Sequence, residues 1–413
     1  MKKIVQVLSI SAFFCITSCQ RSISEEAAMM DENVLNDTRI ANTFIVSFSP
    51  DYLIPLKGLD LQFDNREIKR TYAEKYRNDM IKEIQSFLAE MQIQQDKIIY
   101  YYTSTTTGFA ATLTPAEYEK LRNDYRIWSI DNDMIVKLPD YVVESTEQGS
   151  SRAQTTPCGI TNAGGFADGS TKTTWIWIID SGADTDHPDL NVNVSSPYAT
   201  YFVGGSLEDC LGHGTHVSGT AAAKDNGLGV VGVSAGATIV PVRVFDCSGS
   251  TATSTVVAAM DHVGTYDITG DCCNLSLSGY FGGGCSTSYS GKTSLENLSA
   301  GGTFVSLAAG NNYGANAGLY GPACVNATNV MTVASMTCGK AFSSFSNKGK
   351  PPIDWIATGS NVYSTYLSGG YATLSGTSMA APTVAGVCHA RAGLPISGGT
   401  VVKSGVSYSI AKR

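Results

Sequence analysis

The chain has 413 residues, 43% of them hydrophobic, enough to bury a large core and to fill two or three domains. Its formal net charge of -8 gives no broad attraction to phosphate backbones or anionic lipid, so electrostatics offers nothing to nucleic-acid binding. Of its 28 lysines and arginines, 17 precede Cys158 and 11 follow, and the longer remainder is rich in glycine, serine and threonine, which marks a boundary near that cysteine.

Residues 1–18 read as an export signal: Lys2 and Lys3 precede an apolar run from Ile4 to Ile16 that is too short to span a bilayer. The run ends in Ile16-Thr17-Ser18-Cys19, which resembles a bacterial lipobox with Cys19 as the lipid-bearing residue. A plainer alternative is an ordinary cleaved signal with an incidental cysteine. Both readings export the chain to a compartment where disulfides persist. Residues 19–40 would then be a lipidated tether.

Residues 41–138 alternate strand-like and helix-like stretches. "NTFIVSF" predicts a strand, Arg66 to Met91 has helical spacing, and "KIIYYYT" and "GFAATLT" predict two more strands. "PAEYEKLRND" starts a helix at Pro115, with Glu117 and Glu119 near its positive end. "RIWSIDND" and "MIVKL" complete a β-α-β-β-α-β order, a small two-layer α+β module of ferredoxin-like form. Residues 139–157 are polar, lack apolar periodicity and end in Pro157, which predicts an exposed, cleavable linker.

From Cys158 to Arg413 the pattern changes. "TWIWIID", "TIVPVRVF", "CCNLSL", "GTFVSLAAG" and "VMTVAS" are short apolar runs separated by helix-length stretches. Such runs predict an α/β domain, a mostly parallel sheet with helices on both faces, whose working residues gather at the carboxyl ends of the strands. Asp180 ends the first strand, His213 enters a small-residue helix in "GHGTHVSG", Asn311 follows "LAAG", and Ser378 stands in "GTSMAAP". Acyl transfer needs a hydroxyl activated by a neutral imidazole, a carboxylate fixing the imidazole tautomer, and donors for the oxyanion. A helix cap, a core histidine and an N-cap serine would explain each residue singly. They do not explain the flanking Gly212, Gly214, Gly310 and Gly376, which close approach of a substrate backbone would.

These segments together resemble the subtilisin-like serine proteases, closer to the proteinase K branch than to subtilisin proper, from about Thr156 to the C-terminus. The 41–138 module resembles that family's inhibitory propeptide. The resemblance implies a serine endopeptidase with Ser378 as nucleophile, His213 as general base, Asp180 as orienting carboxylate and Asn311 in the oxyanion hole. It implies that an extended substrate pairs with Gly249, Ser250 and Thr251 on one side and Ser276, Leu277, Ser278 and Gly279 on the other. Ala308, Ala309 and Gly310 would wall the first specificity pocket. With no carboxylate in these segments, apolar or aromatic residues are expected before the cut. His216 and His187 are read as structural.

Departures from the family pattern are Thr383 in place of a histidine, Thr251 where glycine is common, Ala183 in place of a larger aliphatic, and Cys158 in place of an aromatic. With Cys15 removed and Cys19 lipidated, nine cysteines remain, so at least one is free or pairs between chains. Cys210 and Cys247 match positions bridged in some thermophilic relatives. A Cys324–Cys338 bridge is a further expectation, and Cys272 and Cys273 read as buried thiols. No cofactor is implied for catalysis; structural calcium is allowed by the resemblance, with Asp354 as its candidate ligand. Expected partners are polypeptide substrates, the chain's own module as inhibitor, and a membrane through the lipid anchor. Cutting within 139–157 would release a self-processed enzyme from the cell envelope. A peptide ligase or macrocyclase would keep the same catalytic residues, and an inactive binding protein would keep the fold; product analysis with an added amine separates them.

Overall fold

Strand β1 (Arg39–Phe48) turns Ile45 and Val46 fully inward. The computed structural model describes residues 38–59, 61–63, 65–147, 153–280, 285 and 290–413; the signal, Cys19, most of the tether and residues 148–152 of the expected linker lie outside them. Helix α1 (Arg66–Glu90) starts where the Asn65 side chain accepts the Ile68 N–H, satisfying a donor the helix cannot. It packs Met80, Ile84, Phe87 and Leu88 into one cluster with Val46, Phe48 and Phe109. Strands β2 (Ile98–Tyr102) and β3 (Gly108–Thr112) form a hairpin, and helix α2 (Pro115–Arg122) opens with a Thr114–Glu117 capping box. Strand β4 (Ile127–Lys137) is one continuous strand and closes the expected order. The polar Asp131 and Asp133 that interrupt its apolar pattern do not turn the chain. Their carboxylates reach outward to accept the backbone N–H groups of Ser290 and Ser254.

Strand β5 (Val142–Glu147) corrects the linker expectation: 6 residues of the expected 139–157 linker form a paired strand, led by the β-branched pair Val142 and Val143. Ala153 and Thr155 then bridge to Leu228 and Val230, and helix α3 (Cys158–Asn162) follows.

The remainder builds a nine-stranded sheet from β6 (Ile176–Asp180), β7 (Thr200–Tyr201), β8 (Ile239–Arg243), β10 (Cys272–Leu275), β11 (Phe304–Ala308), β12 (Val330–Met336), β13 (Ile353–Thr358), β16 (Ile396–Lys403) and β17 (Val406–Lys412), in the order β16-β17-β13-β12-β11-β10-β6-β8-β7. All adjacent pairs are parallel except the β16–β17 hairpin at one edge. The central strands are buried on both faces, which is why they read as continuous apolar runs. Helices α4 (His213–Ala222), α5 (Thr253–Tyr266), α6 (Ser290–Ala300) and α7 (Thr377–Arg391) complete the layers. In α7 the small residues Ala380, Ala381 and Ala385 are fully buried, so the helix packs close against the sheet. A separate hairpin of β14 (Val362–Tyr366) and β15 (Gly370–Ser375) receives β5 as its third strand.

Among the described residues three disulfides join Cys158–Cys338, Cys210–Cys247 and Cys285–Cys324. The second matches the expected pair. The expected Cys324–Cys338 bridge is absent, because Cys338 meets Cys158 at the start of α3 and Cys324 meets Cys285. Cys272, Cys273 and Cys388 are free and buried, and burial pushes all three thiols above their ordinary range.

The N-terminal module docks through strand and charge. β4 pairs antiparallel with β9 (Ser250–Ala252), so the module's sheet takes in one strand of the catalytic body. Around α5, three buried carboxylates of the body meet the module. Asp261 accepts the backbone N–H groups of Thr103, Ser104 and Thr105. Asp267 binds Lys57 at 2.8 Å and also Lys69. Asp271 takes both ends of the Arg66 guanidinium at 2.8 and 2.9 Å, while that guanidinium stacks 3.5 Å from the Trp175 ring.

Candidate active site

Two strand ends, those of β6 and β11, and two helix starts, those of α4 and α7, converge at the carboxyl edge of the sheet. Asp180, last in β6, is fully buried and its Oδ1 accepts the His213 Nδ1–H at 2.8 Å and the Ser181 N–H at 2.7 Å. That bond fixes the tautomer, leaving Nε2 as the basic nitrogen, and His213 Nε2 is buried with no partner of its own. Ser378 lies in the first turn of α7, with its Oγ bonded to Ser276 O at 3.4 Å. Nucleophile and base are therefore not yet bonded to each other, as is common before a reacting complex tightens.

The Asn311 amide is oriented from behind. Its Oδ1 accepts both the N–H and the O–H of Thr377, each at 2.9 Å, while Thr377 Oγ1 accepts the Gly310 N–H at 3.0 Å. With the oxygen so held, Nδ2 must face forward, and it donates to the Asp140 carbonyl at 2.7 Å. A carbonyl thus already sits where an oxyanion donor would act.

The chain that supplies this carbonyl lies in the expected groove. Val136 pairs with Thr251 and Lys137 with Ser250, Lys137 also bridges Ser278, and the Leu138 N–H donates to Gly249 O at 2.9 Å. Val136 and Leu277 share one buried cluster. Pro139 and Asp140 border a cavity of about 160 Å³ lined also by Ser278, Gly279, Asn312 and Tyr320. Ala308 and Ala309 are fully buried at the end of β11, directly before Gly310 and Asn311. Past the carbonyl, the Tyr141 ring packs 4.9 Å from the His213 ring, and Val142 pairs with Ser375.

One supporting residue, Asp209, escaped the sequence reading, and Pro382 and Ser276 take on roles it did not give them. Asp209 collects five hydrogen bonds: Oδ1 accepts from Ser181 Oγ and the N–H groups of Leu211 and Gly212, and Oδ2 from the N–H and O–H of Thr215. It ties the strand end carrying Asp180 to the turn carrying His213. Its signal was a carboxylate four residues before the histidine. Pro382 removes one N–H from α7, and the freed Ser378 C=O accepts the Ser276 Oγ–H at 2.9 Å instead. Ser276 thereby touches the nucleophile from two directions.

The glycines require one correction. Gly212 has φ of +79°, and a Cβ there would lie 2.2 Å from the Tyr366 ring, so the protein's own packing demands it. Gly214 and Gly310 likewise abut protein atoms, Gly182 O and Asn347 Nδ2. Of these four glycines, Gly376 alone would meet the chain in the groove, a Cβ there lying 3.6 Å from the Tyr141 Cβ.

His216 and His187 are structural, as expected. His216 Nε2 reaches Val362 O and Ala372 O, and burial pushes its pKa down to about 3; His187 Nε2 reaches Gly370 O. Both hold the β14–β15 hairpin. Asp354 accepts the Thr332 N–H at 2.9 Å, and burial raises its pKa to about 6. Among the described residues no group of three or more acidic, histidine or cysteine side chains is placed to hold a metal ion. Thr383 is buried with its Oγ1 unpaired and borders a small cavity with Ile160, Gly219 and Thr220.

Comparison with known proteins agrees with this geometry. The family model described as the subtilase family matches residues 171–390, more than half of the chain, and that of the peptidase inhibitor I9 matches residues 43–139. The chain is 33% identical to the alkaline serine exoprotease A of Vibrio alginolyticus, over 85% of this chain and 60% of that protein. It is 32% identical to the subtilisin-like serine protease AsES of Sarocladium strictum, over 79% of this chain and 80% of that one. It is 33% identical to an extracellular serine proteinase of Thermus sp., over 72% and 69%.

Proposed function

Because the chain belongs to the subtilase family, with an I9 inhibitor module before the catalytic domain, we propose that it is an exported serine endopeptidase, made as a zymogen, that cuts itself between Asp140 and Tyr141. The observation that carries this reading is the 2.7 Å bond from Asn311 Nδ2 to the Asp140 carbonyl, between a paired strand on each side. Ser378 Oγ attacks the Asp140 carbonyl carbon while His213 Nε2 takes its proton and Asn311 holds the oxyanion. As the C–N bond breaks, His213 passes that proton to the Tyr141 nitrogen. Water, deprotonated by the same imidazole, then hydrolyses the acyl-serine and returns the proton to Ser378.

The same groove serves other polypeptides after the module leaves. Ala308 and Ala309 support a preference for apolar or aromatic residues before the cut. Asp140 need not match that preference, because a tethered segment is presented at high effective concentration. The names of relatives, one of them extracellular, support export. A lipid on Cys19 would hold the uncut chain at the cell envelope, and the cut would free the catalytic domain. N-terminal sequencing of the processed protein beside a Ser378→Ala variant tests the reading. Tyr141 as the new N-terminus, absent in the variant, is expected; another terminus, or cutting that survives the substitution, overturns it.

A further inference from the structure

An inhibitory module that fills the groove up to the cut needs no structure beyond the cut. Here the chain on the leaving side is built as carefully as the chain before it. β5 pairs antiparallel with β15 from Val142–Ser375 to Glu147–Tyr371, immediately before the nucleophile's turn. Side chains add to the ladder: Ser375 Oγ donates to Glu144 Oε1 at 3.1 Å and Tyr363 OH to Glu147 Oε2 at 3.0 Å. Tyr141 covers the His213 ring. The receiving hairpin is itself held by His216 and His187 through the Val362, Ala372 and Gly370 carbonyls, so it is a prepared surface. Beyond β5 the chain is fastened again, with Gln154 Oε1 accepting the Asn226 and Gly227 N–H groups and Ala153 and Thr155 in β-bridges.

We propose that the edge of β15 is a strand-accepting surface for the leaving side of substrates, and that Tyr141–Glu147 stays seated on it as a tethered product after the first cut. The proposal rests on self-processing at Asp140–Tyr141. Cleavage breaks one peptide bond and releases the module on one side. It breaks none of the bonds between β5 and β15. Since only residues 148–152 separate Glu147 from the next fixed point, the released strand end competes with incoming substrate at an effective concentration on the order of millimolar. The processed enzyme therefore stays partly blocked on the leaving side until Tyr141–Glu147 is removed or outcompeted. Substrates that displace it are those with an extended segment of several residues after the cut, and an acidic side chain at the Glu144 or Glu147 place would meet Ser375 or Tyr363.

The test compares the full wild-type chain with a Ser145→Pro, Thr146→Pro variant. Both substitutions lie in an exposed strand away from the Asp140–Tyr141 bond, and proline removes ladder N–H groups without touching the reacting residues. After processing and separation of the module, each protein is labelled with a fluorophosphonate and assayed on a long peptide that extends on both sides of its cut. Equal labelling is expected, with KM for the long peptide at least tenfold higher in wild type, kcat unchanged, and the difference lost after an aminopeptidase trims wild type past Glu147. Equal KM values in labelled, correctly cut proteins would overturn this proposal alone. A chain that is uncut or unlabelled would overturn the processing reading and this proposal with it.

Discussion

The reaction centre and the face around α5 both bury carboxylates, and they satisfy them differently. At the reaction centre Asp180 and Asp209 find every recorded partner within the catalytic body. Around α5, Asp261 and Asp267 draw on the module for their backbone and ammonium donors, and Asp271 takes Arg66 from it. Burial alone would raise Asp267, but the Lys57 and Lys69 ammoniums outweigh it and hold the carboxyl below its ordinary range; Asp261 stays raised by burial despite its donors. The chemistry is thus self-contained, whereas the α5 face is complete only while the module is attached.

Four substitutions break or sharpen that contrast. Asp180→Asn removes the tautomer control and should lower kcat on the order of 10⁴-fold, read from steady-state kinetics. Asp267→Ala should act on the module instead. It strands Lys57 and Lys69, a cost of about 3–5 kcal/mol, so the cut module should leave the body on the order of 10²–10³-fold more readily, with kcat unchanged. Asp354→Asn probes a carboxylate with neither kind of support, only the Thr332 N–H. Its folded pKa of about 6 exceeds the ordinary 3.8, so ionisation costs the native state stability as pH rises through that window. In chelator the variant should be more stable by about 2–3 kcal/mol above pH 6, and the gain should vanish below pH 4 in thermal melts. Thr377→Val removes one hydroxyl behind Asn311 and should cost about tenfold in kcat with little change in KM, read from steady-state kinetics.

The residues of the proposed reaction centre and most strands were legible because their signals are local. Asp180, His213, Asn311 and Ser378 each stand at a strand or helix end, and the apolar runs that became β6, β8, β10, β11 and β12 needed no long-range knowledge. What escaped depends on distant pairing. Val142 and Val143 looked like linker because their partners, Ser375 and Leu374, lie more than two hundred residues away. Cys158 found Cys338 across a separation of 180 residues, which spacing cannot reveal. Asp131 and Asp133 interrupt the apolar pattern of β4, and their reason becomes visible only when the distant Ser290 and Ser254 are placed beside them. That the Ser276 hydroxyl supplies the donor Pro382 lacks depends likewise on a residue far along the chain.

The Arg66 guanidinium lying over Trp175 gives the molecule an optical reporter. Trp177 is close by, its indole N–H on the same Asp271 carboxylate that Arg66 grips. When the module departs, the cation leaves the indole face, and the emission of these two rings should change in step with it. Activation could then be timed in solution, with no label attached and no substrate present.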